Sequence, residues 1–267
     1  MRLNRRKLVS DLARASSGGL VSVQRAAEVL GIPSHEAAVR LGRLERAGWL
    51  ARAQRGLYLV LPIEASAEAA PVAEDAWLLA QKLFEPCYMG GWTAAEHWGL
   101  TEQLFRSTFV VTAAPRRKSR ETRLSTEFHV VRVKSSRLDG TTSVWRGSER
   151  VAVSDRERTI ADALVHPSWV GGVRHLAEVL GTYRDSNDFE PRKLLTRMDE
   201  LSVGAGYKRL GYLAELLMPE RHEIVEHAQS RRTTGTIRLE PSIKARGKMS
   251  KRWGLWVNVA IGSHEAG

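Results

Sequence analysis

Cysteine is nearly absent from this chain. Cys87 is the single one in 267 residues, which excludes an internal disulfide and a cysteine-rich zinc site. A reducing cytoplasmic location is the expectation. No apolar run approaches the ~18 residues a membrane span needs, so no membrane partner is expected. The basic opening MRLNRRKLVSDLARASS is not followed by the apolar stretch of roughly 7–15 residues that a secretory signal requires. Also missing are HExxH, GxSxG, the phosphate-binding P-loop and GxGxxG. His97, His129, His166 and His175 have no metal-ligand spacing. No catalytic residue, cofactor or metal is therefore expected. Internal repeats and low-complexity tracts are lacking too.

Acidic residues are in short supply relative to basic ones. Lys and Arg number 41 against 30 Asp and Glu, for a net charge of +11. So basic a chain suits a polyanionic partner, although an arginine-rich composition alone would produce the same figure. The excess is unevenly placed: residues 1–62 carry +7 of it. Pro62 and the arginine-free stretch EASAEAAPVAED follow, where the composition turns small, acidic and proline-containing. The expected organisation is therefore a domain over 1–62, a linker over 63–74 and a larger domain over 75–267. The length accommodates two modest domains.

Residues 20–60 hold the sharpest pattern. Ser22 is placed to cap a short helix, VQRAAEVL. Gly31 and Pro33 end it, one by tolerating a left-handed backbone and the other by blocking continuation. A second helix, HEAAVRLGRLERA, starts about three residues on, with Ser34 as its expected cap. That is helix-turn-helix spacing. At 100° per residue, Ala37, Leu41 and Leu44 share the inner side. His35, Glu36, Val39, Arg40, Arg43 and Arg46 share the outer one. After Gly48, WLARAQRGLYLV reads as two strands around Gln54-Arg55-Gly56, with Arg55 at the tip and Arg52 at the base. A helix pair plus basic hairpin is the winged-helix arrangement. Its second helix fits the major groove and its wing reaches phosphate or the minor groove. The candidate DNA-binding residues are Ser34, His35, Arg40, Arg43, Arg52, Gln54 and Arg55. Arg2, Arg5, Arg6 and Lys7 either touch phosphate or lie on a solvated helix face. Winged helices also serve as protein-binding modules, so the pattern alone leaves that alternative open.

Helices are expected at 3–16, 22–30, 34–47, 74–84, 92–98, 155–165, 171–183, 190–200 and 207–217. Strands are expected at 49–53, 57–61, 108–113, 127–133, 143–146 and 254–261. Ser154 and Glu157 form a candidate capping box for the helix starting near 155. Asp155, Glu157 and Asp162 form a carboxylate cluster that would suit Mg²⁺. Against that, acids favour a helix start without chemistry, and Asp162 has Arg158 four residues before it. Cys87 reads as a small buried hydrophobe. Two later basic stretches, PRRKSRETR at 115–123 and the segment 231–252, supply further candidate contacts to nucleic acid or a protein partner: Arg116, Arg117, Lys118, Lys248, Lys251 and Arg252.

Taken in order, RGLYLVLP, GGWTAAEHWGLTEQ, ERTIADAL, KRLGYLAELL and RWGLWVN make the chain resemble the AbiEi antitoxins of bacterial type IV toxin–antitoxin systems, from about residue 8 to 259. The resemblance implies an α+β fold, an N-terminal winged helix-turn-helix followed by a larger mixed α/β antitoxin domain. It implies autorepression through inverted repeats in double-stranded operator DNA. It also implies neutralisation of a nucleotidyltransferase toxin without a stable complex. The alanines Ala37 and Ala38 in the second helix mean that no operator sequence can be carried over. Two competing functions remain: a Mg²⁺-dependent DNA nuclease built on the carboxylate cluster, and a regulator whose second domain binds a small ligand.

Overall fold

The computed structural model describes residues 5–62 and 70–262. The first two residues of the helix expected at 3–16, the candidate phosphate contact Arg2, and positions 63–69 of the expected linker lie outside the described residues. The fold is α+β, and the chain forms two compact units that are not contiguous in sequence. One comprises Met1–Tyr88, Arg106–Ser135 and Ser143–Ala152; the other comprises Met89–Phe105, Ser136–Thr142 and Val153–Gly267.

The first unit opens with α1 (Arg5–Ala15), β1 (Leu20–Ser22), α2 (Val23–Leu30), α3 (Ser34–Arg46), β2 (Leu50–Gln54) and β3 (Leu57–Val60). The three strands form an antiparallel sheet in the order β1-β3-β2, with Leu20 opposite Leu59 and Leu50 opposite Val60. Its core draws one stripe from each helix: Leu8, Val9 and Leu12 from α1, Ala26 and Ala27 from α2, and Ala37, Leu41 and Leu44 from α3. Val21, Leu50 and Tyr58 close it from the sheet. The small residues let α2 and α3 approach closely, and the leucines supply the apolar area.

The same unit contains α4 (Ala76–Phe84), whose first turn is capped by Asp75 accepting from the Trp77 and Leu78 amides at 2.8 and 3.1 Å. It also holds most of a six-stranded sheet, β4 (Cys87–Met89), β5 (Thr108–Thr112), β6 (Arg120–Arg123), β7 (Thr126–Arg132), β8 (Thr141–Arg146) and β9 (Glu149–Ser154), in the order β6-β7-β5-β4-β9-β8. β5 and β7 run parallel, with Val110 opposite Val130, and β6 returns antiparallel along β7. Phe128 of β7 meets Phe84 of α4 edge-to-face at 5.3 Å.

The second unit is mainly helical: α5 (Gly91–His97), α6 (Arg156–Val165), α7 (Val173–Asp185), α8 (Pro191–Leu201), α9 (Gly204–Leu217) and α10 (His222–Arg231). A small sheet follows, β10 (Ile237–Arg238), β11 (Lys248–Ser250) and β12 (Leu255–Val257), in the order β10-β12-β11. Trp253 is buried against α9 at Gly211, where an added Cβ would collide with the indole, and donates to Glu215 at 2.6 Å.

Helices α6 and α9 bury charge as well as apolar surface. The cap of α6 is Asp155, one residue after the expected Ser154: its carboxylate accepts from the Arg158 amide at 2.7 Å, while Ser154 shares a hydroxyl hydrogen bond with Thr159. Arg158 and Asp162 form the expected pair one turn apart, 3.0 Å and almost wholly buried. On α9, Arg209 donates to the carbonyls of Leu164, Val165, Arg238 and Leu239, and Lys208 donates to Gly235 and Thr234. These two buried cations hold the chain that leads into the small sheet by saturating its backbone acceptors. Burial lowers Arg209 to about 10, against the opposing pull of Glu240. Glu240 accepts from the Val173 amide at 2.8 Å and from the Ser242 amide and hydroxyl at 3.0 and 2.6 Å. Burial pushes its carboxyl up, but these donors and Arg209 outweigh it and hold it below the ordinary glutamate value.

A carboxyl with a depressed folded-state pKa stabilises the fold above its unfolded value and loses that contribution as pH falls through the folded value. Glu240→Gln is therefore expected to be about 1.5–3 kcal/mol less stable than the parent at pH 7. The gap should shrink below roughly pH 4. Denaturant unfolding of both proteins at a series of pH values measures it; a constant gap across the acid range would contradict the assignment.

Candidate nucleic-acid interface

The helix pair is set by its caps. Ser22 accepts from the Arg25 amide at 3.1 Å, as expected. Gly31 adopts the left-handed backbone (φ 60°, ψ 36°), and the Ile32 amide reaches back to the Ala27 carbonyl at 3.1 Å. That closure turns the chain within three residues. The cap of α3 is not Ser34 but Pro33, extended at φ −60° and ψ 148°, whose carbonyl accepts from the Glu36 and Ala37 amides at 3.0 Å. Proline already has the backbone angle a helix entry needs, so Ser34 becomes the first helical residue and its hydroxyl is spared for the surface.

With Ala37, Leu41 and Leu44 buried, the opposite face of α3 is open. His35, Val39, Arg43 and Arg46 are exposed. Arg40 is half-buried and paired with Glu36 at 2.6 Å. Arg46 donates to the Gly42 carbonyl of its own helix at 3.1 Å. An open groove of about 520 Å³ runs along this face, lined by Arg5, Leu8, His35, Glu36, Val39, Arg40, Arg43 and Leu44. Arg5 of α1 thus stands beside α3.

The wing is the β2–β3 hairpin. Arg55 sits exposed at its tip. The side chains of Arg43 and Arg55 enter no ion pair among the described residues. Arg52 is paired with Glu45 at 2.8 Å and lies over the Tyr58 ring at 5.5 Å. Gln54 donates to the Lys82 carbonyl at 3.2 Å and so ties the wing to α4. The structure thus brings Arg5, His35, Arg40 and Arg43 to one groove and leaves Arg55 exposed. It gives Arg52 and Gln54 partners within the protein. The Arg52–Glu45 pair, exposed on its arginine side, contributes little, about 0–1 kcal/mol, so Arg52 can be exchanged onto a phosphate; Arg40, half-buried beside Glu36, is held more firmly.

The later basic stretches divide in the same way. Arg116 lies over the Phe84 ring at 4.5 Å, donates to the Leu83 carbonyl and faces Glu121 at 3.8 Å, so it serves the packing of α4. Arg117 and Lys118 are exposed. In the second unit Lys248 and Lys251 are exposed, whereas Arg252 pairs with Glu215 at 2.7 Å.

The carboxylates of α6 are each engaged. Asp155 meets Arg197 at 2.7 Å, Glu157 meets Lys193 at 2.8 Å and the Tyr183 hydroxyl at 2.7 Å, and Asp162 meets Arg158. Among the described residues no group of three or more His, Cys, Asp or Glu side chains is arranged to hold a metal ion. The Cys87 thiol is pushed up to about 12, first by burial and then by Glu85, against Arg116, which disfavours its thiolate form. No described helix is long and apolar enough to cross a membrane.

Residues 9–60, which run from α1 to the end of the wing, match the family model described as a transcriptional regulator, AbiEi antitoxin. The N-terminal segment is thus similar to the AbiEi antitoxin regulators. No curated protein matches the sequence. Across nearly the whole chain the fold is similar to that in the crystal structure of the RV2827C protein from Mycobacterium tuberculosis, with a TM-score of 0.62 at 18% identity over 94% of this chain and 89% of that one. At that identity the likeness is one of fold. The AbiEi match falls on the segment that carries the open α3 face.

Proposed function

We propose that this AbiEi-type regulator represses its own operon by laying α3 in the major groove of operator DNA, and that its C-terminal part neutralises a nucleotidyltransferase toxin of a type IV system in the bacterial cytoplasm. The observation that carries the reading is the exposed face of α3 with Arg43, and the exposed Arg55 of the wing, neither in an ion pair among the described residues. Arg43 is assigned to a base edge, where an arginine can hold guanine by two hydrogen bonds. Arg55 is assigned to the backbone, which positions without specifying. Arg5, Arg40 and Arg52 supplement the phosphate contacts, and Ser34 and His35 stand at the helix start where phosphate is favoured. Inverted repeats in the operator would be read by two copies.

The functional division runs from a reading head in 1–62, across a connector at 63–74, to antitoxin function in 75–267. It is a division of labour and not of compact units, since the first unit also includes α4 and much of the larger sheet. The exposed Arg117, Lys118, Lys248 and Lys251 are available to extend the DNA footprint or to meet the toxin.

With a duplex from the region upstream of the gene, Arg43→Ala is expected to weaken operator binding by about 1–3 kcal/mol and to relax specificity. Arg55→Ala should weaken operator and random DNA about equally. Fluorescence anisotropy on both duplexes measures this; an unchanged operator affinity removes Arg43 from the reading face. In cells that express the neighbouring toxin, full-length Arg43→Ala should abolish repression of an operator–reporter fusion and still protect growth. Loss of both from a well-folded variant would contradict the separation of the two roles.

A further inference from the structure

Val39 lies outside the buried core of the winged helix. It lies on the side of α3 opposite the buried Ala37, Leu41 and Leu44 stripe and is 50% exposed, the one large apolar side chain left exposed in the winged helix among the described residues. A β-branched residue on an outer helix face lowers helix propensity and keeps apolar surface in water. Glu, Lys or Gln would serve a merely solvated position better.

Its surroundings indicate what would cover it. Val39 stands in the groove whose rim carries Arg5, His35, Arg40 and Arg43, with Glu36 as its single acid, paired to Arg40. With Arg40 offset by Glu36, the rim is still net cationic through Arg5 and Arg43, which suits a polyanion and disfavours an apolar protein surface that would have to desolvate those charges. His35, Val39 and Arg43 are spaced by four residues. Each such step advances about 6 Å along the helix and turns only about 40°, so the three form one line. In stacked DNA that step spans nearly two base pairs at roughly 3.4 Å each. The major groove offers donors and acceptors at every base pair but only one apolar group, the 5-methyl of thymine. The stiff χ1 of valine holds its two methyls in place before contact.

We infer that Val39 is a specificity-determining residue that packs against a thymine methyl in the major groove, between the bases met by His35 and Arg43. The inference rests on the proposal that α3 reads DNA and adds the base chemistry that its centre selects.

The probe is a duplex selected by the full chain from a randomised pool, in which each thymine is replaced in turn by deoxyuridine, which differs only by that methyl. Binding is compared for the parent and Val39→Ala. At one thymine the parent should lose on the order of four-fold in affinity, the effect of one buried methyl, and Val39→Ala should be indifferent to the same replacement. A parent insensitive at every thymine, or a Val39→Ala protein as sensitive as the parent, overturns the inference while leaving DNA reading by α3 intact. Failure of the parent to select any sequence overturns both. The sedimentation behaviour of the two proteins adds a second readout. If Val39→Ala alters self-association and keeps the thymine response, Val39 is a contact between copies and the inference fails.

Discussion

The burial of Ala37, Leu41 and Leu44 against α1 and α2 is the constraint from which the interface follows. A helix has one axis, so fixing one stripe inward fixes the opposite stripe outward. Once those residues are sealed, His35, Val39 and Arg43 have nowhere to go but solvent. The turn at Gly31 and the proline entry at Pro33 set the angle at which this happens. The wing follows from the same packing, since Leu50 and Tyr58 belong to the core that holds α3. Affinity for DNA would then come from charge, and specificity from the few side chains that reach base edges.

The second unit solves a different problem. Its central helices carry Glu157, Arg158, Asp162, Lys208 and Arg209 into the interior. Each charge is tied to an opposite charge or to carbonyl oxygens. Removing one partner strands the other, at a cost far above that of a surface pair. Such networks tie α6, α8, α9 and the chain entering the small sheet into one arrangement. In the ERTIADAL and KRLGYLAELL segments, Glu157, Arg158, Asp162, Lys208 and Arg209 are thus engaged in holding the fold.

Much of this was legible in the sequence where local signals are strong. The helix expected at 34–47 is Ser34–Arg46 and the one expected at 207–217 lies within Gly204–Leu217. The pairing of Arg158 with Asp162 follows from their spacing. Helix α10 escaped because its apolar stripe is only Ile224, Val225 and Ala228 and no side chain caps it. Strand β1 escaped because it is three residues long and ends in the residue that caps α2. The caps at Pro33 and Asp155 differ by one residue from those expected at Ser34 and Ser154, because two adjacent residues could each start the helix and only backbone geometry selects between them. Gln54 and Arg116 read as candidate contacts to nucleic acid or a partner. Their partners, the Lys82 and Leu83 carbonyls, are 28 and 33 residues away, and periodicity carries no information at that range.

The central claim is that α3 occupies the major groove. Methylation interference on the upstream duplex tests it most directly, because dimethyl sulfate marks guanine N7 in the major groove and adenine N3 in the minor groove. The expected result is that N7 methylation at a guanine in each half-site blocks binding, and that this block disappears in Arg43→Ala. Binding that tolerates every N7 methyl group, yet is blocked by N3 methylation alone, would contradict it.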